Sequence, residues 1–188
     1  NNLKTALAEI NISDEKGGLV NTINTVGAAL AGAADEVTIN LSNVGQGGGP
    51  VTLVLNGTGG YDTLNVNSTG GIPNDFDVKG TAQDASTVNI TGDTNLNINS
   101  PQSSAWNVAF LNTPDASSFS GDLNTDFKGN GSVTVHGGSG IDDLTFITNG
   151  AVTANGNDGD GHIDVGTEGG GQHTGGTVTL DGGAGADL

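Results

Sequence analysis

Thr87-Val88-Asn89-Ile90-Thr91-Gly92-Asp93-Thr94-Asn95-Leu96-Asn97-Ile98 holds two copies of one short pattern, apolar-Asn-apolar, separated by a polar turn at Gly92-Asp93. Apolar and polar residues that alternate over a few positions mark a strand with one buried face. The same core recurs as Leu64-Asn65-Val66 and Trp106-Asn107-Val108. Like side chains at equivalent places in successive strands point to rungs stacked one on another, as in a parallel solenoid. Working outward, apolar residues at i and i+2 recur as Val37/Ile39/Leu41, Val51/Leu53/Leu55, Val108/Phe110, Val133/Val135, Leu144/Phe146, Ile163/Val165 and Val178/Leu180. Strand starts lie roughly 8–14 residues apart, with Gly, Asn or Asp in most gaps. Asn56-Gly57, Asn130-Gly131, Asn149-Gly150 and Asn155-Gly156 also suit hairpin turns. The pattern therefore predicts an all-β, right-handed parallel β-solenoid or β-roll, with an antiparallel β-sandwich as the alternative.

The first stretch reads differently. Leu3, Leu7 and Ile10, and then Leu19, Ile23, Val26 and Leu30, sit at helical spacing in an alanine-rich context. One or two short helices are expected there. A stacked solenoid needs its terminal rung covered, since an open end exposes core and unpaired strand edges. The expected organisation is a short helical cap or linker over residues 1–36 and a β-solenoid over 37–188.

Composition narrows the partners. The chain has 188 residues, 34 of them glycine, and sets 21 acids against four basic side chains, Lys4, Lys16, Lys79 and Lys128, for a formal charge of −17. That length supports one domain. The charge disfavours nucleic acid and anionic membrane surfaces and favours cations. With no cysteine, disulfide scaffolds and thiolate metal sites are excluded, leaving oxygen and three histidines as ligands. Clustered glycines and only four prolines exclude collagen. The sustained alternation argues against the disorder that few aromatics and high charge would otherwise suggest. No run of about 18 apolar residues exists to cross a bilayer as a helix. The chain opens at Asn1 without a signal peptide and stops after Gly185-Ala186-Asp187-Leu188 in mid-pattern, which reads as a piece of a longer protein.

The glycines gather with aspartates. Gly137-Gly138-Ser139-Gly140-Ile141-Asp142-Asp143-Leu144-Thr145 fits a nine-residue pattern, Gly-Gly-x-Gly-x-Asp-x-apolar-x, at every fixed position. Gly182-Gly183-Ala184-Gly185-Ala186-Asp187 repeats its first six positions, and Gly57-Thr58-Gly59-Gly60-Tyr61-Asp62-Thr63-Leu64-Asn65 is a third, degraded copy. Calcium takes about six to eight hard oxygens at about 2.3–2.6 Å. Glycines let a turn direct its carbonyls inward while aspartate supplies charge, and the apolar residue anchors the next strand.

These motifs resemble the calcium-binding nonapeptides of the RTX superfamily. The remainder, with Thr-Val-Asn-Ile-Thr-Gly-Asp at 87–93 and Asp-Ala-Ser-Ser-Phe-Ser-Gly-Asp-Leu at 115–123, resembles RTX-type surface-layer proteins of Gram-negative bacteria. The resemblance implies a calcium-stabilised solenoid, secreted in one step and assembled with copies of itself into an extracellular lattice on the cell surface. It also implies a ligand set: Asp142 with Gly137 and Ser139, Asp187 with Gly182 and Ala184, and Asp62 with Gly57 and Gly59. In tandem family arrays each ion is shared between successive turns, whereas Asp142 and Asp187 stand far apart in sequence. Each site must borrow oxygens from a turn that does not match the motif.

The best donor is Asn155-Gly156-Asn157-Asp158-Gly159-Asp160-Gly161-His162-Ile163-Asp164. Asp158, Asp160, Gly161 and Asp164 resemble the middle of an EF-hand loop, but Gly156 and Thr167 occupy its first and twelfth positions. With Asn155 and Asn157 it reads as an oxygen-rich calcium turn or else a solvated acidic loop. Asp122 and Asp126 form a weaker cluster of the same kind.

Other functions find less support. His136, His162 and His173 are scattered and unpaired, so zinc or catalytic roles are not indicated. Neighbouring acids such as Asp75/Asp77 or Asp142/Asp143 could suggest a polysaccharide-active β-helix enzyme. Stabilising an enolate-like intermediate calls for cations, and arginine is absent. The expectation is a non-enzymatic structural protein that binds calcium. An RTX adhesin segment binding glycans or surfaces, with cell-surface polysaccharide as partner, is the alternative. The outward rows Thr38/Asn40, Thr52, Thr63/Asn65/Asn67, Thr87/Asn89/Thr91 and Asn95/Asn97/Asn99 would face ice or glycans in that reading, or simply keep a solvated face polar.

Overall fold

The computed structural model describes residues 3–25, 27–30, 34–57, 59–80, 85–98, 106–107, 113–129, 131–167 and 171–188. Two sheets carry the chain. The first runs β1 (Glu9–Ser13), β3 (Glu36–Ser42), β5 (Thr63–Thr69), β7 (Thr87–Gly92), β10 (Thr113–Phe119), β12 (Val133–His136), β14 (Val152–Asn155), β17 (Val178–Asp181). The second runs β2 (Val20–Asn24), β4 (Val51–Asn56), β6 (Asn74–Gly80), β8 (Leu96–Ile98), β11 (Leu123–Gly129), β13 (Asp143–Thr148), β15 (His162–Thr167), β16 (Gly171–Gln172), with β9 (Trp106–Asn107) also on β11. Apart from the hairpin of β15 and β16, the pairings among the described residues are parallel, so the fold is a β-solenoid with two strands per rung rather than an antiparallel sandwich.

The alternation in sequence explains the layers. Val37, Ile39 and Leu41 of β3, Leu64 and Val66 of β5 and Val88 and Ile90 of β7 turn into the same core as Val51, Leu53 and Leu55 of β4 and Phe76 and Val78 of β6. In-register stacking lays like on like: Ile39 on Val66, Val66 on Ile90, and Phe127 on Phe146, whose rings stack with centroids 5.0 Å apart. Leu64-Asn65-Val66 lies directly on Val88-Asn89-Ile90, as expected of stacked rungs. Leu96-Asn97-Ile98 belongs to the opposite sheet and stacks on Leu123-Asn124-Thr125. Val108, Phe110 and Asn99 lie outside the described residues. The chain returns to the same column after 29 residues at Asn11 and Asn40, 24 at Asn65 and Asn89, and only 19 at Asp143 and His162.

Among the described residues, which leave out Val26, the expected N-terminal helices do not form. Residues 9–24 contain β1 and β2, which pair with β3 and β4, and the helical content nearby is one short 3-10 turn, Gly27–Leu30. The described residues at helical spacing do not share one buried face, for Leu30 is buried while Leu3 and Leu19 are 37% and 49% exposed. Ile10 and Ile12 alternate instead with Glu9, Asn11 and Ser13, and the unsatisfied edge of β3 provides hydrogen bonds that a short helix would not use.

Candidate functional site

The turns that carry the chain from the first sheet to the second line one lateral edge of the solenoid. At its C-terminal end three stack in register, because β12, β14 and β17 do so: His136 pairs with Asn155 and Asn155 with Asp181. The turn from Gly137 to Asp142 therefore lies against that from Gly156 to Gly161, and the latter against that from Gly182 to Asp187. Backbone bonds fix this order, from Gly137 N–H to Asn155 O (2.7 Å), Gly156 N–H to Asp181 O (2.7 Å) and Leu188 N–H to Gly161 O (3.1 Å). The two best motifs, 45 residues apart in sequence between Asp142 and Asp187, share one column with the acidic turn between them.

Asp142 is the most constrained of the predicted ligands. It is 2% exposed; its Oδ1 accepts the Leu123 N–H from the preceding rung (3.0 Å), and Oδ2 accepts the Gly138 N–H of its own turn (2.6 Å). Burial raises its pKa above the usual aspartate value, opposed by those two amides and reinforced by the charge of Asp122. A methyl group at Gly137 would meet Asp142 Oδ2 at 2.7 Å, Gly156 O at 3.0 Å and Asn155 O at 3.3 Å. Oxygens of two successive rungs thus crowd close beside Gly137, where a side chain larger than glycine's would collide with them. The donors a hard cation would use there are Asp142 for charge and Asn155 and Gly156 for carbonyls, with further oxygens still needed to reach calcium's usual number. No group of three or more His, Asp or Glu side chains suited to a metal occurs among the described residues, so an ion here would depend on backbone oxygen.

Asp187 repeats part of this arrangement. It folds back against Gly182, and its Oδ1 accepts the Gly161 N–H from the rung before (3.3 Å), as Asp142 does with Leu123. Unlike Asp142 it is exposed. In the intervening turn Asn155 Oδ1 accepts the Asn157 N–H (2.9 Å), and Asn157, at φ +62°, donates its amide to Gly137 O. Asp160 Oδ1 accepts the Ala186 N–H (2.8 Å). Asp158 pairs with Ala184 through the backbone, and Ser139 takes its N–H to Phe119 O (2.9 Å). Asp164 does not join them: it lies on β15 in register with Thr145, on the outer face of the second sheet.

Asp62 sits on the opposite lateral edge, where β4 passes into β5. Its Oδ2 accepts the Asp35 N–H from the preceding rung (2.9 Å), the same downward reach as in the other two copies. The atoms nearest a methyl at Gly57 belong to Thr25 and Leu30, and at Gly59 to Leu30, so these glycines pack on the preceding turn rather than frame Asp62. Tyr61 is buried and its hydroxyl meets the Leu7 backbone.

Asp122 belongs to the C-terminal edge more closely than its grouping with Asp126 suggested. Its Oδ1 accepts the Ile141 N–H (2.8 Å) and its Oδ2 the Asn95 amide (2.6 Å). The 19-residue separation that links Leu123 to Asp142 is the signal that would have found it. Asp126 faces out from β11, its pKa raised by burial and by the charge of Asp143. His162 Nδ1 lies 3.1 Å from Asp143 Oδ1.

No family model, curated protein or solved structure matches the chain.

Proposed function

We propose that this chain is a calcium-stabilised structural segment of an extracellular bacterial surface layer or filamentous lattice, non-enzymatic, secreted, and assembling with copies of itself. The observation that supports this reading is the closeness of Asp142 Oδ2, Gly156 O and Asn155 O, from consecutive rungs, around Gly137. Calcium, when bound, supplies the positive charge and the coordination that such oxygens lack. Asp142 holds one carboxylate oxygen toward Gly138 and the other toward Leu123, so its side chain is oriented before any ion arrives. Asn155 and Gly156 bring the next rung, and the repeat of the arrangement at Asp187 and Gly182 extends it by another.

Empty, an edge bearing Asp122, Asp142, Asp158, Asp160, Asp181 and Asp187 repels itself. Ion binding coupled to folding relieves that repulsion, and extracellular sites of this kind work at about millimolar calcium. The low calcium inside a cell then keeps the chain in an export-competent state. Electron microscopy and light scattering of the purified chain test the assembly. Sheets or filaments that form with millimolar calcium and dissociate on chelation are expected. A monodisperse monomer under both conditions contradicts the lattice reading.

A further inference from the structure

The outer faces of the two sheets differ in charge. That of the second sheet carries Asp75, Asp126, Asp143 and Asp164 beside Lys79 and Lys128, with Asp77 buried against Lys79 (3.2 Å). On the first sheet, β5 and β7 carry no charged side chain at all, and β3 none beyond Glu36. In a chain of net charge −17 two adjacent strands without a charge are unusual, and the amides of this face are ordered, with Glu9 and Glu36 at its margin accepting from Asn40 and Asn65. Asn40 donates to Asn11 Oδ1 (2.9 Å), Asn67 to Asn40 Oδ1 (3.2 Å) and Asn89 to Asn65 Oδ1 (2.7 Å), while the Thr91 hydroxyl donates to Asn67 Oδ1 (3.4 Å).

Asn40 spends both donations, on Asn11 and on Glu9 (2.9 Å), and Asn65 donates to Glu36 while accepting from Asn89; Asn65, Asn67 and Asn89 each keep an N–H and at least one lone pair. The rotamers are fixed by the ladder, so the remaining donors and acceptors form a grid about 4.8 Å apart across strands and about 6.7 Å apart along them. A grid already ordered loses little conformational entropy on binding. Its side chains are donors and acceptors at once, which suits hydroxyl groups, and it has no cation for phosphate or carboxylate. The overall charge turns anionic polymers away.

We propose that this face, centred on Asn65, Asn67 and Asn89, binds a neutral, hydroxyl-rich polysaccharide lying flat across β3, β5 and β7. It is a second activity beside the lattice role and rests on different residues from the calcium edge. Co-sedimentation of the full chain with cellulose, chitin and starch granules, with alginate beads as the anionic counterpart, tests it, alongside an ice-recrystallisation assay. Retention on at least one neutral polymer is expected, with none on alginate. Thr38→Lys, opposite Glu9, and Thr87→Glu place charge on the face without removing a ladder residue; each should reduce retention at least tenfold at unchanged melting temperature, and Thr145→Glu on the opposite face should leave it unchanged. The proposal is overturned by no retention on any neutral polymer, by equal retention on alginate, by unaltered binding of both face variants, or by activity on ice alone.

Discussion

A methyl group at position 137 would occupy the point that Asp142 Oδ2, Gly156 O and Asn155 O surround, so Gly137→Ala forces those oxygens apart. It should weaken calcium affinity at least tenfold and cost about 1–3 kcal/mol of stability, read by calorimetric titration and by urea unfolding. In the proposed reading Asp142 has two tasks, bonding the Leu123 and Gly138 amides and holding an ion, and substitution separates them. Asp142→Ala strands the Leu123 and Gly138 amides in a buried place and should destabilise even the calcium-free protein by about 2–4 kcal/mol. Asp142→Asn keeps an acceptor and should spare the fold while reducing calcium affinity; unchanged affinity would move the ion elsewhere. Acid has a predictable sign at Asp75, whose pKa burial and then the charge of Asp77 raise. A carboxyl with a raised folded pKa contributes stability that is complete below the ordinary aspartate value and is lost as pH rises through the raised one. Chelated protein should therefore melt higher near pH 4–5 than at pH 7, and Asp75→Asn should flatten that dependence and add about 1–2 °C at neutral pH. A steeper dependence in the variant would contradict the assignment.

Strands succeed or fail by what their inward positions hold. Phe127 and Phe146 stack on adjacent strands within the core, and Phe127→Ala should cost about 3–5 kcal/mol, lowering the melting temperature by about 10 °C or more. A change below about 1 kcal/mol would mean that β11 and β13 are not packed as described. The same inward positions decide what could be read from sequence. β3, β5, β7 and β13 present two or three apolar residues at alternate places and were legible. β10 opens with Thr113-Pro114-Asp115 and β11 puts Thr125 between Leu123 and Phe127; a buried threonine bonded to Ile98 O fills an apolar slot that the pattern alone leaves blank. β1 and β2 were read as helical because alanines and leucines at helical spacing outweighed a short alternation whose partner, β3, is supplied by the fold and not by the local sequence. At the site, the glycine-aspartate motifs pointed to Asp142 and Asp187. Their neighbourhood depends on the 19-residue repeat from His136 to Asn155 and a longer one to Asp181, which no local motif encodes.

Charge and topology act together over the whole molecule. The formal charge of −17 is unevenly distributed: acids crowd the C-terminal stretch of one lateral edge, while β5 and β7 of the first sheet carry no charge. Parallel stacking makes this arrangement costly without a counterion, since each rung sets its turn about 4.8 Å from the next and so multiplies like-charge contacts. In the proposed reading it also lets one ion serve two rungs. Calcium-linked stabilisation therefore distinguishes a coordinated edge from one that is merely screened. The most direct measurement is the melting temperature and β-sheet circular dichroism of the chain in millimolar calcium, in chelator, and in sodium chloride at matched ionic strength. The account predicts a melting temperature about 10 °C or more higher in calcium than in either other condition. Equal melting and equal spectra in all three would contradict it.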